Sequence, residues 1–214
     1  MEFFTLIWDF ILHMDKHLDL MLQNYGAWSY AILALVIFLE TGLVVTPFLP
    51  GDSLLFAAGA LSARGNIDPI TLFVLLSAAA IVGDAVNYFI GRRFGEAALS
   101  HPRFGIKKKH IDRTEGFYAK YGGKTIVIAR FVPIVRTFAP FLAGLGKMNY
   151  ARFTMLNVTG GILWVALFIF GGFFFGDLPA VKRNFTLVIF GIIAVSLLPV
   201  VYEFMRARCC RAKT

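Results

Sequence analysis

The amino-acid sequence predicts an all-α integral membrane protein. It reads as two oppositely oriented re-entrant helical hairpins in an inverted repeat, about three full transmembrane helices and an N-terminal amphipathic helix. Three observations predict this. Hydrophobic residues make up 58% of the 214 and charged residues only 16%, where a soluble domain runs near ~45–50% and ~25%. Prolines, glycines and charges interrupt two otherwise apolar stretches, 40–52 and 130–144. Basic residues crowd 92–124, with nine Lys or Arg against three acids, and gather again at 206–213. The length is that of one domain, 1–214. A net charge of +8 carried by loops and tail suits an anionic phospholipid membrane or an anionic substrate. It does not point to nucleic acid, because no nucleic-acid-binding motif accompanies it.

Residues 3–22 place Phe3, Leu6, Ile7, Phe10, Ile11, Met14, Leu18 and Met21 at helical spacing, with Asp9, His13, Lys16, His17 and Asp19 between them. That is an amphipathic helix, lying in the membrane interface or packed on the bundle. His13 and His17 stand four apart, but no third ligand accompanies them and no metal is expected.

Residues 28–62 form the first expected hairpin. Its centre reads Glu40-Thr-Gly-Leu-Val-Val-Thr-Pro47-Phe-Leu-Pro50-Gly51-Asp52. Proline removes a donor and clashes with the preceding turn, and glycine permits unusual backbone angles. Broken backbone at membrane depth is tolerated only where protein buries it or a watery cavity solvates it. A carboxylate there costs roughly 2.5–3.5 kcal/mol on insertion scales, so Glu40 and Asp52 are candidate functional groups. A full crossing by 28–46 would put the N-terminus on the other side, and the residues leave that choice open.

Residues 69–91 read as a span. Asp84 lies eight residues before Arg92, about 12 Å along a helix, with Tyr88 one turn further on the same face. A structural hydrogen bond and a supporting functional role both fit Asp84. The basic 92–124 connection is placed in the cytoplasm by its charge. Residues 125–148 form the second hairpin, with Arg130 and Arg136 in apolar sequence and breaks at Pro133 and Pro140. Residues 149–176 and 185–205 are each long enough to cross. The tail, 206–214, carries Arg206, Arg208, Arg211 and Lys213 and is expected in the cytoplasm. The two cysteines, Cys209 and Cys210, cannot make a disulfide framework. They read as reduced thiols, with palmitoylation the alternative.

The two broken stretches resemble each other. Gly59 follows Pro47 by twelve residues and Gly144 follows Pro133 by eleven, and a span comes after each. With 92–124 inside, the first hairpin opens outward and the second inward. Such an inverted repeat carries its substrate site where the repeats meet. There Glu40 and Asp52 would approach Arg130 and Arg136, two acids against two arginines. Pairing makes buried charge tolerable, and a guanidinium offers phosphate a planar fork of donors. Purely structural bridges are the competing reading.

Glu40-Thr-Gly-Leu with Pro47-Phe-Leu-Pro50-Gly51-Asp52-Ser-Leu-Leu-Phe, Gly83-Asp84-x-x-x-Tyr88-x-x-Gly91-Arg92, and Arg130-Phe-x-Pro133-x-x-Arg136-x-x-x-Pro140-x-x-Ala143-Gly144 resemble the DedA family of bacterial inner-membrane proteins. The likeness runs from the N-terminal helix to about residue 200. The family is related to eukaryotic lipid scramblases with the same membrane domain. The resemblance implies a transporter that returns a lipid phosphate, undecaprenyl phosphate, across the inner membrane, with ties to proton motive force and envelope integrity. It implies that Glu40, Asp52, Arg130 and Arg136 are the functional charges. Arg130 and Arg136 would bind substrate, and Glu40 and Asp52 would couple protons.

A proton-coupled antiporter or carrier of a small ion or osmolyte needs the same acids but no path for a lipid tail. A membrane lipid phosphatase commonly needs a nucleophile or base, often histidine. His13, His17, His101 and His110 all lie outside the expected membrane core. No enzyme and no cofactor are therefore expected.

Overall fold

The computed structural model describes residues 26–43, 51–65, 67–100 and 122–176, together with positions 178, 179, 181, 187, 188, 191 and 192. The 3–22 helix, Pro47 and Pro50, residues 101–121 of the basic connection, most of 185–205 and the whole tail lie outside the described residues. Among the described residues every regular element is a helix. These are α1 (Trp28–Gly42), α2 (Gly51–Ser62), α3 (Pro69–Ser100), α4 (Thr125–Ala129, led in by a 3₁₀ turn at Gly122–Lys124), α5 (Pro133–Leu145) and α6 (Tyr150–Phe175).

Local chemistry explains the starts. Asp68 Oδ2 accepts the Thr71 amide at 2.6 Å, satisfying an orphan donor at the head of α3. The Thr71 hydroxyl and amide hold the Asp68 carboxyl below its usual range, and the Asp68 amide donates to Tyr30 Oη of α1 at 2.9 Å. Asn149 Oδ1 does the same for α6, accepting from Ala151 at 3.0 Å and Arg152 at 3.3 Å. Gly51 opens α2, and Asp52 in its first turn faces the positive end of the helix dipole. Pro133 opens α5 after Val132, whose extended backbone (φ −124°, ψ 101°) ends the preceding turn.

Length separates two classes of helix. Pro69–Phe94 and Tyr150–Phe175 are apolar over 26 residues each, about 39 Å at 1.5 Å per residue, enough to cross a bilayer. α1, α2 and α5 have 15, 12 and 13 residues, about 18–22 Å, too short to cross the ~30 Å hydrocarbon alone. α3 continues nine residues past the expected end at Gly91. Arg92 and Arg93 end the apolar run but are good helix formers, and Glu96, Ala97, Ala98 and Leu99 extend the same preference. Pro140 does not break α5, which runs through it to Leu145; the backbone break falls ahead of Pro133.

The described residues form two compact units. The first holds α1 up to Phe38, α2, α3 up to Ala80 and α6 from Ile162. Its core includes Leu33, Ile37, Leu55, Leu72, Leu76, Trp164 and Ile169. The second holds Leu39–Leu43, α3 from Ile81, and residues 122–161. Its core includes Tyr88, Ile126, Val135, Ala139, Ala143 and Phe153.

Each unit is closed by the same glycine interlock. In the first, a Cβ on Gly59 of α2 would overlap the Ile169 carbonyl oxygen of α6, and one on Gly172 would overlap the Phe56 carbonyl oxygen. In the second, Gly144 of α5 meets the Tyr88 carbonyl oxygen of α3, and Gly91 meets that of Phe141. Gly144 and Phe141 follow Gly59 and Phe56 by 85 residues, and Ile169 and Gly172 follow Tyr88 and Gly91 by 81. Backbone contact this close needs small residues, as helices do when the surrounding lipid is as apolar as they are. The two interlocks thus make the same kind of contact at near-equal separations along the chain.

Candidate functional site

The second unit gathers most of the charges singled out above. α4 ends at Ala129, Arg130 and Phe131 turn, and α5 restarts at Pro133. That break carries Arg130 into the interior, where it is 2% exposed. Gly160 and Gly161 of α6 leave room for it: a Cβ on Gly160 would lie 3.1 Å from Arg130 Cδ. The guanidinium pairs with Asp84 of α3 and donates to Asn157 Oδ1 of α6 at 2.6 Å. Asn157 is oriented in turn, its Nδ2 donating to the Ile81 carbonyl at 2.9 Å.

Arg136, in the first turns of α5, pairs with Glu40 near the end of α1. Asn87 of α3 holds both helices. Its Nδ2 donates to the Thr41 carbonyl at 3.2 Å and to the Thr137 carbonyl at 3.0 Å, the residues that directly follow Glu40 and Arg136. The reverse placement of the amide would set its oxygen against two carbonyls, so the hydrogen bonds fix its orientation. Among the described residues its buried Oδ1 has no hydrogen-bond partner.

The two pairs differ in access. The Arg130 side chain is 1% exposed and that of Arg136 is 10%, so Arg136 is the more accessible guanidinium. Arg136 also acts electrostatically on both Asp84 and Arg130. Two carboxylates and two guanidiniums make the cluster formally neutral. Neutrality and mutual hydrogen bonds are what make four ionic groups tolerable away from water.

The sequence reading set Glu40 and Asp52 against the two arginines. The structure pairs Glu40 with Arg136 and supplies Asp84 to Arg130. Asp52 belongs to the first unit, where its Oδ1 accepts the Trp164 indole N–H at 2.9 Å. Tyr88 serves packing. Its hydroxyl donates to the Met148 carbonyl and accepts from Arg92 at 3.3 Å, and its ring stacks on Phe153 at 4.5 Å between centroids. Asn87 and Asn157 were missed, although a polar amide three residues after Asp84, and another inside the apolar run of α6, were visible as signals.

The VTT domain matches residues 49–174. Protein DedA of Escherichia coli (strain K12) is 54% identical over 216 residues, covering 100% of this chain and 99% of that one. The chain belongs to the DedA family. An uncharacterised membrane protein of Mycobacterium tuberculosis is 42% identical to this DedA-family chain over 195 residues, 88% of this chain and 84% of the relative. Inner membrane protein YqjA of E. coli (strain K12) is 37% identical over 155 residues, 70% and 69% of the two chains. No solved structure matches. The family resemblance carried by the motifs is thereby established, and this DedA-family chain is a membrane protein with apolar helices of bilayer-spanning length.

Proposed function

We propose that this DedA-family protein is a transporter, not an enzyme, and carries a lipid phosphate such as undecaprenyl phosphate across the bacterial inner membrane. The observation that carries the reading is the neutral Glu40–Arg136 and Asp84–Arg130 cluster on interrupted helices. Membrane interiors admit such groups at a cost that ordinary packing does not repay, and buried pairs are poor stabilisers. Arginine binds phosphate bidentately. Relatives carry inner-membrane names, which supports the location. The short α2 and α5, each ahead of a long helix and each closed by the same interlock, support two re-entrant hairpins in an inverted repeat.

The cycle follows from charge. With both acids ionised the cluster is neutral and has no net attraction for an anion. Protonating Glu40, the partner of the more accessible arginine, leaves +1 and frees Arg136 for the phosphate. Proton and phosphate then enter together and separate on release. The polyprenyl tail stays in the bilayer throughout. Asp52 keeps its assigned part as a proton-coupling acid in the first unit.

The test is reconstitution into liposomes with undecaprenyl phosphate, with and without an imposed pH gradient. Movement that accelerates with the gradient is expected, and Glu40→Gln should remove that acceleration. Gradient-independent rates would remove proton coupling and leave passive transport. Proton-coupled flux of a small ion or osmolyte with no lipid movement would replace the reading with that of an ion or osmolyte carrier.

A further inference from the structure

A second feature of the DedA-family chain lies apart from the charge cluster but on the same helix α5. Its last turns, with the loop into α6 and the Gly122–Gly123 turn, line an open-sided cavity of about 440 Å³. That is within the size of sites that hold a small amphiphile. Leu142, Leu145 and Met148 give it apolar walls. Arg152 lines it too, and its guanidinium lies on Gly123, where a Cβ would come within 3.1 Å of Nε. The missing side chain at Gly123 thus seats the cation in the cavity wall. Exposed Lys124 and Lys147 are the immediate neighbours of the lining residues Gly123 and Gly146. Arg92 reaches the same end through Tyr88, whose hydroxyl donates to the carbonyl of the lining residue Met148.

No acid occurs in the sequence between Glu115 and Asp177. The basic groups at the cavity therefore have no carboxylate from this stretch to neutralise them. Apolar walls beneath a cationic rim define the occupant by its two halves. A soluble anion would leave the walls uncovered, and a neutral chain would offer the guanidinium no acceptor of opposite charge. Basic pockets of this kind take lipid head groups.

We propose that this cavity is a site for one anionic phospholipid of the surrounding bilayer, with an acyl chain against Leu142, Leu145 and Met148 and the phosphate on Arg152. The assignment does not depend on the transport reading, since it concerns a resident lipid and uses none of the four cluster charges. Through α5 it ties the composition of the bilayer to the helix that carries Arg136.

The experiment is native mass spectrometry of the full-length protein in mild detergent, titrated with dioleoyl phosphatidylglycerol or dioleoyl phosphatidylcholine. Retention of one phosphatidylglycerol about tenfold more strongly than phosphatidylcholine is expected. Arg152→Gln should bring the two lipids within about twofold of each other. Leu145→Trp, which fills the cavity, should lose both. Arg64→Gln, an exposed arginine in the first unit, should behave as wild type. Thermal unfolding checks that each variant is folded, and if Leu145→Trp is not, the Arg152→Gln ratio decides. Equal retention of the two lipids by wild type, or undiminished preference in Arg152→Gln, overturns the assignment. So does competition by soluble glycerol phosphate as strong as that by lipid, or displacement by undecaprenyl phosphate at equal concentration, which would make the cavity a cargo site.

Discussion

A guanidinium and an ammonium carry the same charge, but only the guanidinium presents a planar fork to a phosphate. Arg136→Lys should therefore lower transport at least about tenfold while membrane abundance stays normal, because its side chain is the accessible one. Arg130→Ala is expected to act differently. It strands Asp84 and Asn157 in the interior, and breaking a buried pair costs about 3–5 kcal/mol, so loss of folded protein should dominate. Thermal unfolding in detergent beside the liposome assay separates the two outcomes. Joint Glu40→Gln and Arg136→Gln should restore stability without transport; recovered transport would refute the binding role. Asn87→Ala removes both donors that hold the residues following Glu40 and Arg136. At about 1 kcal/mol for each hydrogen bond the melting temperature should drop by roughly 4–8 °C, and no drop would show that the amide holds neither helix. The candidate charges were legible because an acid or arginine in apolar sequence stands out. The approach of Glu40 to an arginine was legible too, but the partner of Arg130 was not. Asp84, which the sequence reading left outside the group of two acids and two arginines, pairs with Arg130, because pairing is decided by how α3 packs against the break and not by distance along the chain.

At the scale of helices, the breaks were legible wherever proline and glycine forbid continuation, as ahead of Pro133 and at the Gly51 start of α2. Pro140 misled, since a proline seven residues into a helix bounded by good packing is accommodated. The end of α3 also differed, because the apolar pattern reports where a span ends and not where helical backbone ends. The glycine pair Gly59 and Gly144 was noticed as spacing, but its cause is contact with a carbonyl oxygen of a helix far along the chain. That cause makes a sharp prediction. Gly59→Ala and Gly144→Ala should each sharply reduce the folded protein recovered from membranes, since backbone must move to admit the methyl group. Gly171→Ala, with nothing within 4 Å of its added Cβ, should be tolerated, and its helix propensity even favours it. Comparable yields for all three variants would remove the interlock from the account of stability.

For the whole molecule, the distribution of Lys and Arg predicts a cytoplasmic tail. Cys209 and Cys210 follow Arg206 and Arg208 at the chain's end, so both thiols should resist a membrane-impermeant maleimide in intact cells and react after lysis. Labelling of intact cells would reverse the proposed orientation of the chain. The interlock has a consequence for the chain's connectivity. Each short helix closes on the long helix of the other half of the sequence, α2 on α6 and α5 on α3, so neither half contains a complete pair. The two halves are therefore expected to behave as partners that happen to be joined. A chain cut between Ser100 and Gly122 should be recovered as a stoichiometric complex when both pieces are expressed together, and each piece alone should be degraded. A tag on one fragment and a blot for the other measure it. An N-terminal piece stable by itself would show that the exchange of glycine faces is not needed to hold that half together.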